Sequence, residues 1–408
     1  MKIDERILKL GERVENSLEN EFRKIDRIRE KNFLKVLNAF QKANISDFHF
    51  RDTSGYGLFD PGRDKLEEVY KNIFHTESAL VRPQIISGTH AIAISLFGLL
   101  RPGQTLLYLS GEPYETGEAI IGIRKATGSL AEYGIKFNVT NLSEKIEEEK
   151  IKKASVGVIQ RSGGYSYRKA LTVSEIEEMI KKAKAINPNI TIMVDNCYGE
   201  FVEEREPTDA GADVVVGSLI KNMGGAITPT GGYIAGKESA IEKIEAMLTA
   251  PGTGREIGPM LNLTRLFLQG VFFAPLVVSN ALKGAVFAAK LFSELGYKVK
   301  PAYNEKRGDI VQAIELGSPE KLVEFAQSVQ NVSPIDWDAE ITPSPLAGYG
   351  NEILMAAGTF VQGSSIELSA DAPMKPPYVI YLQGGVYYEH SKLASMYAAS
   401  RIGTPKRD

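Results

Sequence analysis

Short apolar runs recur between helical stretches through the middle of the chain: TLLYLS (105–110), SVGVIQ (155–160), ITIMVDN (190–196), DVVVGS (213–218) and GGYIAG (231–236). Runs this brief, rich in valine and isoleucine and bounded by polar residues, read as strands buried on both faces. Their alternation with helix-length segments predicts an α/β fold, a mostly parallel sheet flanked by helices. PQIIS (83–87) reads as a further strand, and the helix after it, GTHAIAISLFGLLRPG, is closed by Pro102-Gly103. The helix after SVGVIQ carries Ser174 and Glu177 at capping-box spacing.

Around this sheet the 408 residues divide into three parts. Val14, Leu18, Phe22 and Ile25 make one apolar stripe, so residues 1–50 are expected to form a helical arm, packed on its own domain or on a second subunit. Residues 51–265 form the large domain, opening with the glycine-rich loop RDTSGYGLFDPGRD. Residues 266–408 supply a long linking helix and a smaller C-terminal α+β domain. The apolar stretch VFFAPLVVSNALKGAVFAAKLF is interrupted by Pro275, Asn280 and Lys283, whereas a bilayer span needs roughly 18–20 unbroken apolar residues. It reads as a buried helix, and no membrane partner is expected.

A net charge of −3 gives no electrostatic reason to expect nucleic acid as a partner. The single cysteine, Cys197, and the charged N-terminal segment fit a cytoplasmic protein. His49, His75, His90 and His390 lie far apart, so no metal site is expected. GGYIAGK matches the glycine spacing of a nucleotide-phosphate loop, but Glu238 stands where serine or threonine is required.

In open α/β sheets, ligands bind beyond the carboxyl ends of the strands. Gly88-Thr89-His90 follow PQIIS, Tyr114 follows TLLYLS, and Arg161-Ser162 follow SVGVIQ. Asp195-Asn196 end the next strand, and Ser218 and Lys221 end DVVVG. Taken singly, each has a plain reading: a loop lysine, a strand-end cap, a packing tyrosine. Together they describe more. A lysine desolvated at such an edge is expected to have a lowered pKa, so that its neutral amine attacks a carbonyl to form an imine. Pyridoxal 5'-phosphate (PLP) uses that chemistry. Its phosphate needs donors at a helix N-terminus, which Gly88 and Thr89 open, with the Ser218 hydroxyl from a second side. Its pyridine nitrogen needs a carboxylate, for which Asp195 is placed, and its ring face needs a flat neighbour such as Tyr114.

MVDNCYGEF, GSLIKN, SGTHA and PYET together resemble the fold-type I PLP enzymes of cysteine and methionine metabolism. With TSGYGLFDPGRDKLEEVY and QRSGGYSYRKALT, the chain most resembles the aluminium-resistance or methionine gamma-lyase-like branch of the cystathionine beta-lyase family. The resemblance covers about residues 30–400. It implies a homodimer or homotetramer with shared active sites and an amino acid as substrate. Lys221 becomes the lysine that holds the cofactor, Asp195 the pyridine partner and Tyr114 the stacking ring. Gly88, Thr89 and Ser218 become the phosphate cradle, while Tyr56 and Arg63 look like groups that reach the neighbouring subunit's phosphate.

The departures concern the substrate. Ile220 stands where the well-studied lyases carry serine or threonine, QRSGGYS replaces their E-x-P-x-N-P stretch, and no arginine lies between Arg307 and Arg401. Arg161 is therefore the candidate for the substrate carboxylate or for the cofactor's phenolic oxygen. The reading that results is a carbon–sulfur lyase releasing thiol, keto acid and ammonia by β- or γ-elimination. The alternatives are transamination, γ-replacement, or a PLP-binding protein with a regulatory role.

Overall fold

The computed structural model describes residues 2–346 and 350–404. Two helices, α1 (Glu5–Ser17) and α2 (Glu19–Lys42), form the N-terminal arm, and α3 (Pro61–Phe74) follows the glycine-rich loop. The large sheet then takes β1 (Ser78–Arg82), β2 (Thr105–Tyr108), β3 (Lys136–Val139), β4 (Val156–Gln160), β5 (Thr191–Asp195), β6 (Val214–Ser218) and β7 (Gly232–Gly236). Between these strands run α4 (Gly88–Leu99), α5 (Glu115–Ile121), α6 (Glu148–Lys153) and α7 (Val173–Ile186), with α8 (Glu238–Glu245) after β7. The 31-residue α9 (Thr264–Glu294) leads into a second sheet. That sheet is built from β8 (Lys298–Lys300), β9 (Gln312–Glu315), β10 (Ser344–Pro345), β11 (Glu352–Ala356), β12 (Ser369–Pro373) and β13 (Val379–Gln383). Helices α10 (Pro319–Gln330) and α11 (Tyr388–Ile402) complete this part.

The large sheet has the order β1-β7-β6-β5-β4-β2-β3, and β7 alone runs against the others. The α/β class is thus as the strand–helix alternation predicts. Val214, Val215 and Val216 are all fully buried, each worth about 1.5–3 kcal/mol relative to exposure, which explains an apolar run with no polar alternation. The second sheet is antiparallel throughout, in the order β10-β11-β12-β13-β9-β8.

Two local expectations are corrected. PQIIS is not a strand, because β1 ends at Arg82 and Pro83, which has no N–H to give to a ladder, opens a turn. The capping box of α7 is Thr172 with Glu175, two residues earlier than the Ser174–Glu177 spacing suggests. The Glu175 carboxylate accepts from Thr172 N at 2.7 Å, and the Thr172 hydroxyl accepts from Glu175 N at 3.3 Å. Both pairs satisfy the sequence rule, and the helix starts at Val173, which is buried.

The arm packs on its own chain. Helix α2 lies along α9 and α3, and the buried Asn32 amide donates to the carbonyls of Phe201 (3.0 Å) and Glu203 (3.1 Å). Helix α9 is long and apolar enough to cross a bilayer, but 72% of its most apolar window is buried within the protein, against α2 and α11. It also presses on the loop after β6. A Cβ on Gly225, which sits at φ 54°, would come within 2.3 Å of the Gly270 carbonyl of α9, so the glycine serves that close approach.

Candidate active site

Parallel register places the carboxyl ends of β4, β5 and β6 side by side, with Gln160 opposite Asp195 and Asp195 opposite Val216. Beyond those ends lies a cleft of about 240 Å³. Its floor is Asp195, Ser218 and Lys221, and Gly88 and Thr89 at the start of α4 close one side. Tyr114 at the start of α5 lines another side, held by a hydrogen bond from its N–H to the Gln160 amide oxygen (2.8 Å). The second sheet closes the far wall with residues that include Ser369, Asp371, Tyr381 and Gln383.

Helix α4 begins where the cleft needs donors. Ser87 caps it, its hydroxyl accepting from His90 N at 3.1 Å, so the remaining first-turn N–H groups and the positive end of the helix dipole face outward. Gly88 packs closely: a Cβ there would lie 3.0 Å from Cys197 Sγ and 3.2 Å from Ser218 Cβ. Gly88, Thr89 and Ser218, expected from SGTHA and the β6 end to lie together, line one cleft.

Lys221 is less free than its sequence suggests. Its Nζ lies 3.9 Å from the centre of the Tyr198 ring. Burial works against its charge, but the charge of Asp195 and a hydrogen bond to Tyr198 outweigh that effect and raise the Lys221 pKa. Burial also pushes the Cys197 thiol well up, so that thiol is neutral, and Asp195 is the counter-charge that matters. The expected lowering of the Lys221 pKa is thus corrected: a desolvated amine beside a carboxylate keeps its proton. Burial raises the Asp195 carboxyl too, against the pull of Lys221 and of the Cys197 N–H, which donates to Asp195 Oδ1 at 3.1 Å.

Arg161 does not reach the cleft. Gln160 and Ser162 both line it, and the alternation of an extended chain turns the residue between them to the opposite face. The Arg161 guanidinium is fully buried there, donating to Asn196 Oδ1 and Glu203 Oε1 (both 2.8 Å) and to the Leu171 carbonyl (3.2 Å). Arg168 donates through Nη2 to the carbonyls of Gln160 (2.8 Å) and Ser162 (2.7 Å). Tyr56 and Arg63 also lie away from this chain's cleft. Tyr56 is exposed, whereas Arg63 is buried, donating to the carbonyls of Gly57 (2.8 Å) and Gly258 (3.3 Å).

Four cleft residues escape sequence reasoning. Tyr198 follows the β5 end by three positions and was within reach of the strand-end argument. Its φ of 71° turns the ring back over Lys221, which no sequence pattern signals. Asp371 and Gln383 come from the antiparallel sheet, where strand ends carry no rule about ligands. Tyr165 bridges the two parts, packing on Tyr114 (5.7 Å between ring centres) and on Tyr381 (5.2 Å).

With this geometry in place, comparison with known proteins is decisive: a family model for methionine gamma-lyase matches residues 7–403. The chain belongs to the methionine gamma-lyase family. Within it, the uncharacterized protein YnbB of Bacillus subtilis (strain 168) is 48% identical over 401 residues, covering 96% of this chain and 95% of that one. A solved carbon–sulfur lyase involved in aluminium resistance, from Clostridium novyi NT, superposes with a TM-score of 0.93 at 47% identity, covering 98% and 97% of the two chains. The PLP-dependent protein YhfS of Escherichia coli shares the fold at a TM-score of 0.61 with 18% identity, over 92% and 97% of the chains. The family member described here therefore has the architecture of the fold-type I PLP enzymes.

Proposed function

We propose that this chain is a PLP-dependent carbon–sulfur lyase that takes a sulfur-containing amino acid and, with water, releases thiol, keto acid and ammonia. The observation that supports it is the convergence of Lys221, Asp195, Tyr114, Ser218 and the α4 N-terminus on one cleft. The residues fit the cofactor by type and by space. The close packing of Gly88 on Ser218 and Cys197 brings the N-terminus of α4 and two hydroxyls, of Thr89 and Ser218, to one side of the cleft, the donor set a phosphate needs. When bound, PLP supplies an aldehyde for an amine and a protonated ring that accepts the electron pair left by the α-proton.

The protein's own groups do the rest. The Asp195 carboxylate would hold the proton on the ring nitrogen. Tyr114, beyond the carboxyl end of β2 at the same sheet edge, would offer the ring a flat face. Lys221 would hold the cofactor and, when displaced by a substrate amine, its neutral Nζ would be the base for the α-proton and the acid that returns it. The Tyr198 ring limits where that Nζ travels. Tyr56, exposed on the glycine-rich loop, remains the candidate for contact with a second subunit's cofactor. Loss of sulfur from Cβ and from Cγ are both compatible with these groups.

The test is a screen of cysteine, cystathionine and methionine that follows keto acid and thiol together. Release of both in equal amounts supports the lyase reading. Amino-group exchange without thiol release sinks it.

A further inference from the structure

The wall contributed by the second sheet is unlike the floor of the cleft. Ser369 and Asp371, two apart on β12, face the same way, and the register sets Ser369 opposite Gln383 and Asp371 opposite Tyr381. All four line the cleft, and all are at least 95% buried: Ser369 is 1% exposed, Asp371 5%, Tyr381 4% and Gln383 4%. The Gln383 amide donates to Asp371 Oδ2 at 2.6 Å, and the Tyr165 hydroxyl also bonds the Asp371 carboxyl. Asp371 Oδ1 and Ser369 Oγ have no hydrogen-bond partner.

An unpaired carboxylate oxygen in a buried wall is costly to the protein alone, so its place in a ligand cleft calls for a donor brought by the ligand. The sign of that donor follows from the lining. Among the charged residues that line the cleft, Lys221 is the one cation, and Asp195 and Asp371 are the carboxylates. Of the two guanidinium groups behind it, Arg161 is paired with Asn196 and Glu203, and Arg168 gives its Nη2 to the carbonyls of Gln160 and Ser162. This wall has a carboxylate and no group to neutralise an anion.

We propose that the Asp371–Ser369–Gln383 wall is the subsite for the far end of the substrate side chain. It selects amino acids ending in an ammonium or another hydrogen-bond donor over those ending in a methyl group or a carboxylate. The proposal rests on the reading of the cleft as an amino-acid site and names the substrate class within it. Burial pushes the Asp371 carboxyl up to about 7. A cationic end group therefore drives out the fraction of protons the carboxyl still holds at neutral pH, whereas an uncharged end does not.

The experiment uses the cofactor-loaded protein and three amino acids without a leaving sulfur: L-lysine, L-norleucine and L-2-aminoadipate. Binding is measured by calorimetry in two buffers of different ionisation enthalpy, which also counts protons released. L-lysine is expected to bind roughly tenfold or more tighter than L-norleucine, with L-2-aminoadipate weakest and with proton release confined to L-lysine. Asp371→Asn is expected to abolish both the preference and the proton release while leaving L-norleucine binding within about twofold. Equal or tighter binding of L-norleucine or L-2-aminoadipate by the wild-type protein overturns the proposal. So does an Asp371→Asn protein that weakens all three alike. Should that variant fail to fold, the wild-type order and proton count still decide. Failure of all three ligands to bind a protein that carries PLP on Lys221 overturns the subsite and leaves the cofactor reading intact. Absence of PLP overturns both.

Discussion

The Lys221 ammonium rests against the face of the Tyr198 ring, 3.9 Å from its centre, and Tyr198 reaches that position through a left-handed backbone at φ 71°. A buried cation over an aromatic face gains about 0.5–2 kcal/mol. Tyr198→Leu removes that gain and leaves Asp195 as the counter-charge. In protein freed of cofactor, the Lys221 pKa is expected to fall, and modification of Lys221 by an amine reagent to rise roughly 2- to 30-fold. The pH dependence of that modification, followed by mass spectrometry, checks it. An unchanged rate means that the ring does not hold the charge.

Asp195→Asn keeps the size of the side chain and its acceptor for the Cys197 N–H but removes the charge. The account expects the variant still to take up PLP, because the α4 N-terminus and Ser218 are untouched. Turnover is expected to fall by on the order of 100-fold or more, the scale of losing one fixed charge in a water-poor site. Absorbance of the bound cofactor and keto-acid release, measured on the same sample, separate the two effects.

Arg161→Met tests a structural role. The substitution leaves Glu203, 2.8 Å from the guanidinium, without its cation, leaves Glu206 with Lys35 alone at 3.9 Å, and strands Asn196 Oδ1. Breaking a buried pair from one side costs about 3–5 kcal/mol, to be read as a lower urea midpoint. Protein that folds should bind substrate amino acids as the wild type does. A large rise in KM with stability unchanged would restore Arg161 to the substrate site.

Glu200 gives the account a pH signature. Its carboxyl is fully buried, accepts from the Tyr233 hydroxyl at 2.8 Å, and is pushed up to about 8 by burial, from 4.5 in an open chain. Between those values the folded protein keeps a proton that the unfolded chain has lost. Its contribution to stability is therefore complete below the lower value and drains away as the pH rises to the upper one, by up to ~1.4 kcal/mol per pH unit. Glu200→Gln removes this slope. Relative to wild type, the variant is expected to gain stability steadily from about pH 5 to pH 8. Denaturant melts across that range measure it, and parallel curves would contradict it.

What the sequence reveals follows from which rules have local reach. Parallel strands put their carboxyl ends on one edge, so Asp195, Ser218, Lys221 and Tyr114 are legible as neighbours from the strand pattern alone. The same rule, applied one residue too far, brings in Arg161, which the alternation beyond β4 sends to the other face. PQIIS looks extended and is not, because its proline ends the ladder. Asp371 and Gln383 lie more than 145 residues from Lys221 on an antiparallel sheet, and only their register with each other and the packing of the two sheets bring them to the cleft. The Tyr198 backbone turn and the fate of the guanidinium groups are likewise products of packing.

The most direct test reduces purified protein with borohydride and maps the product by mass spectrometry. A protein that holds PLP as proposed is yellow, loses that colour on reduction, and yields one cofactor-bearing peptide, modified at Lys221. Lys221→Ala yields none. A colourless protein with no adduct, or an adduct on another lysine that persists in Lys221→Ala, contradicts the account.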